Sequence, residues 1–384
     1  MLSPGCRIGF CALGVAAALG LDHSAMGYQL APSVQRLGSI PEGSGAIATS
    51  VSADGSVVGG ITGIFTITPR TFRWSAATGM VPIIVHAGNQ YGTVAVSGDG
   101  TTLASSGSFP RVPTGQDPSP SYTSAYQWTS GGGVQSLNLP PGAFATYASA
   151  INGDGSVIVG AAVGNGLLHS FRYTSGGGMQ DIGVPSGYIG SHAHGVSGDG
   201  SVVAGAAESG PFANEAYSWT SAGGFHMLGV LPAGISSFAY AVSGDGHVVV
   251  GNSQTPGGTR AVRWIDSGPA QVIPDVGGGG STPDRYALAV NQDGSVIVGS
   301  QNLRAFFWTQ ALGSVDLNTF LTSRGVNLGS LILTGATGVS ADGYTLVGAG
   351  REFGSDVAWI ATIPAPASPI AMMPLALFAI RRRR

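Results

Sequence analysis

Apolar residues in this chain come in short runs, and nearly every run follows the same polar signature. Val or Ile, Ser or Asn, any residue, Asp and Gly precede an apolar stretch that ends mostly in Gly. The copies are VSADGSVVGG (51–60), VSGDGTTLAS (96–105), INGDGSVIVG (151–160), VSGDGSVVAG (196–205), VSGDGHVVVG (242–251), VNQDGSVIVG (290–299) and VSADGYTLVG (339–348). Their Asp anchors, Asp54, Asp99, Asp154, Asp199, Asp245, Asp293 and Asp342, are spaced by 45, 55, 45, 46, 48 and 49 residues. A period of that size marks a repeat architecture, in which no unit buries its apolar face alone.

Each repeat predicts four strands. The first alternates into the Asp, as in Tyr286–Val290, with Ala, Gly or Ser four positions before the anchor. Small residues on that alternation suit an inner strand near a crowded axis. Asp-Gly then predicts a hairpin turn, with Gly free to take positive φ and Asp able to bond the loop's own amides. The second strand is the continuous β-branched run, which reads as buried on both faces. The third ends in an aromatic, as in Phe72-Arg73-Trp74 or Phe306-Phe307-Trp308, and the fourth follows a Gly-rich turn, as in Gly177–Gly183.

Four strands per repeat, seven times over, predict an all-β fold: a seven-bladed β-propeller of four-stranded blades. The seventh repeat runs out after Trp359 without a fourth strand, and Val34–Gly38 is a fourth strand without its first three. The N-terminal strand is therefore expected to pair in the last blade and close the ring, hiding an edge that invites aggregation. An open solenoid with capping ends is the competing architecture.

These elements, recurring in order over roughly residues 40–360, resemble the HAF family of probable extracellular repeats. That resemblance implies export and repeats but no reaction.

The ends point the same way. Residues 8–21, IGFCALGVAAALGL, form an apolar run behind Arg7, and Ala25-Met26-Gly27 places small residues for cleavage, so 1–27 reads as a signal peptide. An uncleaved anchor is the alternative. Residues 28–363 are then the repeat domain. The tail, 364–384, holds Pro364 and Pro366, the apolar stretch 369–380, and Arg381, Arg382, Arg383 and Arg384. Its apolar part falls short of the ~20 residues that span a bilayer. The tail resembles the PEP-CTERM sorting signal of exosortase substrates in Gram-negative bacteria, with Ala365 where that family has Glu. The resemblance implies transient inner-membrane insertion, processing by an exosortase-type enzyme, and delivery to the cell surface or beyond.

Both cysteines, Cys6 and Cys11, lie in the leader, so the mature chain would have neither a disulfide nor a thiol nucleophile. The sequence has no lysine, and residues 28–363 carry 11 arginines against 18 carboxylates, a net of −7. That balance argues against a nucleic-acid partner.

Candidate chemistry is sparse. The seven Asp residues read as turn braces, since each has one Ser or Asn two positions earlier and no adjacent carboxylate to build a calcium site. His192 and His194 share a strand face at chelating spacing. Tyr147, Phe238 and Tyr286 hold the position of His192 in other repeats, so an aromatic filling role is expected and no metal is assigned. Arg73, Arg172 and Arg263 read as inter-blade cation–π or carboxylate partners, or less simply as a ring for acidic sugars. Gly-x-Ser-x-Gly, His-Glu-x-x-His and phosphate-loop motifs are absent, and no cofactor is expected. Two irregular segments, Ser106–Ser121 and Val276–Asp284, read as a protruding Pro-rich loop and a flexible connector, the former the first candidate for recognition. The expected function is a non-enzymatic, exported surface or matrix protein binding exopolysaccharide. The alternative is a glycan lyase or hydrolase using the propeller mouth.

Overall fold

The computed structural model describes residues 31–40, 45–63, 69–83, 90–110, 121–164, 167–210, 213–277 and 284–364. The signal-peptide reading, Pro366, the four terminal arginines and most of the sorting tail lie outside them. Among the described residues, no helix is long and apolar enough to cross a membrane.

The described residues are all-β apart from one short helix. A lone strand, β1 (Ser33–Arg36), precedes β2–β5 (Ala46–Val51, Val57–Thr62, Arg70–Ser75, Gly79–Ile83) and β6–β9 (Gln90–Val96, Thr102–Pro110, Ser121–Thr129, Gly133–Ser136). Next come β10–β13 (Ala145–Ile151, Val157–Gly164, Leu167–Thr174, Gly178–Gly183) and β14–β17 (Gly190–Val196, Val202–Gly210, Ala213–Thr220, Gly224–Met227). They are followed by β18–β21 (Ser236–Val242, Val248–Thr255, Gly258–Ile265, Gln271–Val272) and β22–β25 (Arg285–Val290, Val296–Gln301, Arg304–Thr309, Gly313–Asp316). Helix α1 (Leu317–Ser323) leads into β26–β28 (Ile332–Val339, Thr345–Glu352, Ser355–Thr362).

The strands form four-stranded antiparallel sheets in a propeller-like arrangement, and each Asp-Gly turn joins the first two strands of a repeat. The β6–β9 and β10–β13 groups are linked by one parallel bridge, Ala145 opposite Thr123. Strands β26–β28 take β1 as their fourth member, with Ser33 opposite Thr362 and Arg36 opposite Trp359. Arg36 secures that pairing through Glu352, donating from Nε and Nη2 at 2.7 and 2.6 Å.

Apolar burial lies between successive sheets. Val250, Ala261 and Ile273 of one group pack with Ala287, Ile297, Phe306 and Trp308 of the next. Val298, Phe307, Leu333, Leu346 and Trp359 make a further cluster. Each fully buried Val, Leu or Phe contributes roughly 1.5–3 kcal/mol, so the β-branched run of the second strand is a main source of stability.

The Asp-Gly turns share one geometry. Every anchor accepts the amide two residues on, Ser56 to Asp54 at 2.9 Å and Tyr344 to Asp342 at 3.0 Å marking the first and last. The hydroxyls of Ser52, Ser97, Ser197, Ser243 and Ser340 donate to their own Asp at 2.5–2.6 Å. The same hydroxyls accept the amide five residues on, as from Val57 to Ser52 at 3.0 Å, and in the other two repeats Asn152 and Asn291 take that role for the Val157 and Val296 amides, each at 2.9 Å. Gly155 follows its Asp at φ 77°, a region that a side chain would strain.

Neighbouring turns are also bonded to each other. Ala53 N–H donates to Gly98 O, Asp99 to Gly153, Gly153 to Gly198, Gly198 to Gly244, Asp245 to Gln292, Gln292 to Ala341, and Ala341 back to Ala53. Beside this rim, Ile363 N–H donates to Tyr344 O at 2.9 Å, so the last described residues leave from the turn side.

Two differences from the sequence reading stand out. The segment 106–121 is not simply a loop. Strands β7 and β8 pair as far as Pro110 opposite Ser121, so the insertion lengthens a hairpin, and only 111–120 lie outside the described residues. Its long arms are held by Phe109 packing edge-on to Tyr126 at 6.2 Å. Helix α1 is the other. Asp316 caps it by accepting Thr319 N–H at 2.7 Å, and Asn318 both donates to and accepts from the Leu333 backbone. The connector 276–284 is pinned at Val276, whose N–H donates to Gln301 Oε1 at 3.0 Å, and its residues 278–283 lie outside the described set.

Candidate functional site

The inner strands β2, β6, β10, β14, β18, β22 and β26 surround a cavity of about 550 Å³. Their local geometry sets what faces it. In β14 the pairing with β15 slips between Ala193 and Gly195, leaving His194 as an extra residue. The same slip leaves Thr49, Ser149, Tyr240, Leu288 and Thr337 unopposed in their strands. A bulge of this kind turns a side chain out of the ladder. All of these residues line the cavity.

A glycine on the second strand makes the bulge possible. A Cβ on Gly251 would stand 1.8 Å from Phe238 O, and one on Gly205 2.2 Å from His192 O. The Gly that ends the apolar run is thus required by the close approach of the inner strand. In the second repeat Ser105 replaces it, and the inner strand there is irregular over a longer stretch, between Tyr91 and Ala95.

Side chains face the cavity at three levels along the inner strands. Five residues before the anchor are the bulged Thr49, Ser149, His194, Tyr240, Leu288 and Thr337. Two residues earlier stand Tyr147 and His192, with Phe238 in the adjoining side pocket and Tyr286 behind Tyr240 at 6.5 Å between ring centroids. Nearest the turns, Val51, Val96, Ile151, Val196, Val242 and Val339 form an apolar girdle. The end away from the turns continues into a side pocket of about 310 Å³, where Glu208 and Asn214 join His192, His194, Phe238 and Tyr240.

The rings cluster. His192 and His194 have centroids 4.2 Å apart, His194 and Tyr240 meet edge-on at 6.0 Å, and Phe238 stacks with Tyr240 at 6.2 Å. His192 Nε2 lies 3.0 Å from Ser149 Oγ. Enclosure disfavours the imidazolium, pushing His192 down to about 4 and His194 well below its ordinary value. Burial, reinforced by Tyr286, pushes the Tyr240 phenol up to about 12. At neutral pH the cavity therefore offers neutral hydrogen-bonding groups and aromatic faces. Glu208 is the one carboxylate among the described lining residues, and none of them is Arg.

The other candidates sit elsewhere. The seven Asp residues lie on the turn rim, away from the mouth. Hydrogen bonds from Ser156 hold Asp154 below the usual carboxylate range, and those from Ser197 and Ser201 do so for Asp199. Among the described residues, no three His, Asp or Glu side chains are grouped to hold a metal. Arg263 lies over the Trp308 ring at 4.5 Å, and Arg172 donates to Gly200 O at 3.3 Å, so both engage the following repeat rather than the cavity. His247 is exposed and paired with Asp266 at 2.6 Å.

His192 and His194 were visible in the sequence, whereas Tyr240, Ser149 and Glu208 were not singled out. The available signal was variability. Five residues before the anchor the repeats carry Thr, Val, Ser, His, Tyr, Leu and Thr, beside neighbours that are nearly constant.

No family model and no curated protein matches the chain. Solved structures do. Oligogalacturonate lyase from Vibrio parahaemolyticus is similar at 13% identity and TM-score 0.56, over 88% of this chain and 96% of that one. An oligogalacturonate lyase in complex with manganese gives 11%, 0.54, 88% and 98%. Puromycin hydrolase gives 14% and 0.51, over 86% of this chain and 55% of its own. A TolB structure from Acinetobacter baumannii, at 13% and TM-score 0.45, is matched over 69% of this chain and 61% of its own length. At these identities the likeness is one of fold.

Proposed function

We propose that this chain is an exported, non-enzymatic seven-bladed propeller that holds a neutral glycan of a surface or extracellular matrix in its central mouth. The observation that carries the reading is the cavity lining: Tyr147, Phe238 and Tyr240 beside Ser149, Asn214 and two neutral imidazoles, with no Arg among the described lining residues. Aromatic faces stack on the apolar faces of sugar rings, and neutral donors and acceptors match hydroxyls. The blade count and closure are supported by the β1–β28 pairing and by the turn-to-turn bonds that return from Ala341 to Ala53. Export, the repeat-family and sorting-signal resemblances, and exosortase processing belong to the same proposal and rest on the sequence of the two ends.

The second reading is a glycan-active enzyme, favoured by the fold likeness to oligogalacturonate lyases. A uronate substrate calls for cationic or metal groups at the carboxylate, and a glycosidase calls for a pair of carboxylates. The described lining supplies one, Glu208.

The test is retention of the purified chain on the producer's own exopolysaccharide, with product analysis of the same mixture. Retention without new reducing ends or unsaturated sugars supports binding. Turnover establishes the second reading, and absence of both retention and turnover removes glycan from the account. Mass spectrometry of exported material tests the ends: a start near Tyr28 and loss of Arg384 are expected, and recovery of an intact Met1-to-Arg384 chain outside the cell overturns the reading of both ends as signals that are removed.

A further inference from the structure

The cavity differs sharply between its two ends. Away from the turns its lining is polar and aromatic and runs into the Glu208–Asn214 pocket. Toward the turns its lining becomes the Val/Ile girdle, which offers no hydrogen-bond partner. Beyond the girdle lies the bonded rim of turns. There the residue before the Asp is Ala53, Gly98, Gly153, Gly198, Gly244, Gln292 or Ala341. Gln292 alone has a long side chain, and it reaches across the neighbouring rim glycines. A Cβ on Gly244 would meet Gln292 Oε1 at 1.9 Å, and one on Gly198, two repeats away, at 3.6 Å. The glycines are also in tight mutual contact, a Gly153 Cβ standing 2.8 Å from Gly198 O.

We infer that the cavity is a blind pocket that takes the end of a glycan chain rather than a segment from its middle; this rests on the glycan reading above. A chain threading through would have to carry its hydroxyls past the apolar girdle. Burying a hydroxyl there without a hydrogen bond costs roughly 1–3 kcal/mol in protein settings, and every sugar unit carries several. Gln292 then narrows the exit. A terminal sugar entering from the side away from the turns meets aromatic faces and the groups of Ser149, His192, His194 and Tyr240, and stops above the girdle with its reducing or non-reducing neighbour still in the mouth.

The two modes scale differently with chain length. The probe is the producer's exopolysaccharide, intact and after partial acid hydrolysis to shorter chains, compared at equal total sugar mass by saturation binding to the full chain. End recognition predicts that halving the mean chain length doubles the number of sites at unchanged affinity. Sites that follow sugar mass regardless of length overturn end recognition while leaving glycan binding intact. No binding to any preparation overturns both. Tyr240→Leu, which copies Leu288 of the next repeat and should fold, is expected to weaken every length of chain by the same factor. A loss confined to the intact polymer would also refute the blind pocket.

Discussion

His192 and His194 lie with ring centroids 4.2 Å apart, on one face of their strand because Ala193 between them points to the other. Two imidazoles at that distance cannot both be charged cheaply, and enclosure already keeps them neutral. In the unfolded chain each binds a proton near its ordinary value of 6.5, whereas folded His192 does so only near 4. Between these values the unfolded state binds more protons, so folding stability is full above about pH 6.5 and falls as the pH drops toward 4. The double variant His192→Phe/His194→Tyr copies Phe238 and Tyr240 of the following repeat. Its melting temperature is expected to be nearly flat over this window, where that of the wild type declines; matching declines would place the acid sensitivity elsewhere.

Gly251→Ala should be strongly destabilising although alanine is small. The added carbon would collide with Phe238 O, and the inner strand must give up its bulge or move. Overpacking of this kind costs roughly 1–3 kcal/mol. Chemical denaturation measures it. A neutral outcome would show that the bulge does not depend on this glycine.

Asp154→Ala removes a carboxylate that accepts the Ser156 amide at 2.9 Å and leaves the neighbouring turns bonded through their backbones. A loss of about 1 kcal/mol is expected. Added calcium should not raise the melting temperature of wild type or variant, since ligand binding to the folded state would do so by mass action. Calcium stabilisation that disappears in the variant would identify a metal site at the turn.

Deleting residues 31–38 strips β1 from the edge of β28, together with the Arg36–Glu352 pairing. Exposed backbone along Trp359–Thr362 then becomes available to a second chain. Reduced thermal stability and concentration-dependent aggregation are expected, by calorimetry and light scattering. An unchanged, monomeric product would favour an open architecture.

The sheet arrangement was legible because its causes are local and repeated. Asp-Gly needs a turn, β-branched runs need burial, and the recurring Gly needs a close neighbour, so each repeat restates the same instruction. Helix α1 was missed because it occurs once, even though Asp316, the Leu317–Phe320–Leu321 spacing and Gly325 carry a helix signature. The extended hairpin at Pro110–Ser121 was missed because its prolines read as a loop, whereas the strands pair to the last described residue on either side. The cavity escaped for a different reason. Its polar and aromatic lining comes from a position, five residues before the anchor, that differs from repeat to repeat, and the bulge, a feature of pairing register, is what turns Tyr240, Ser149 and His194 into one tier.

The pairing of Ser33 with Thr362, and the bond from Ile363 to Tyr344, set the direction in which the molecule presents itself. Both ends of the described chain depart from the side that carries the Asp-Gly turns, while the Glu208–Asn214 pocket opens on the other. Anything that tethers the protein through residues beyond Pro364 therefore grips it from behind, and the aromatic mouth looks outward, away from the attachment.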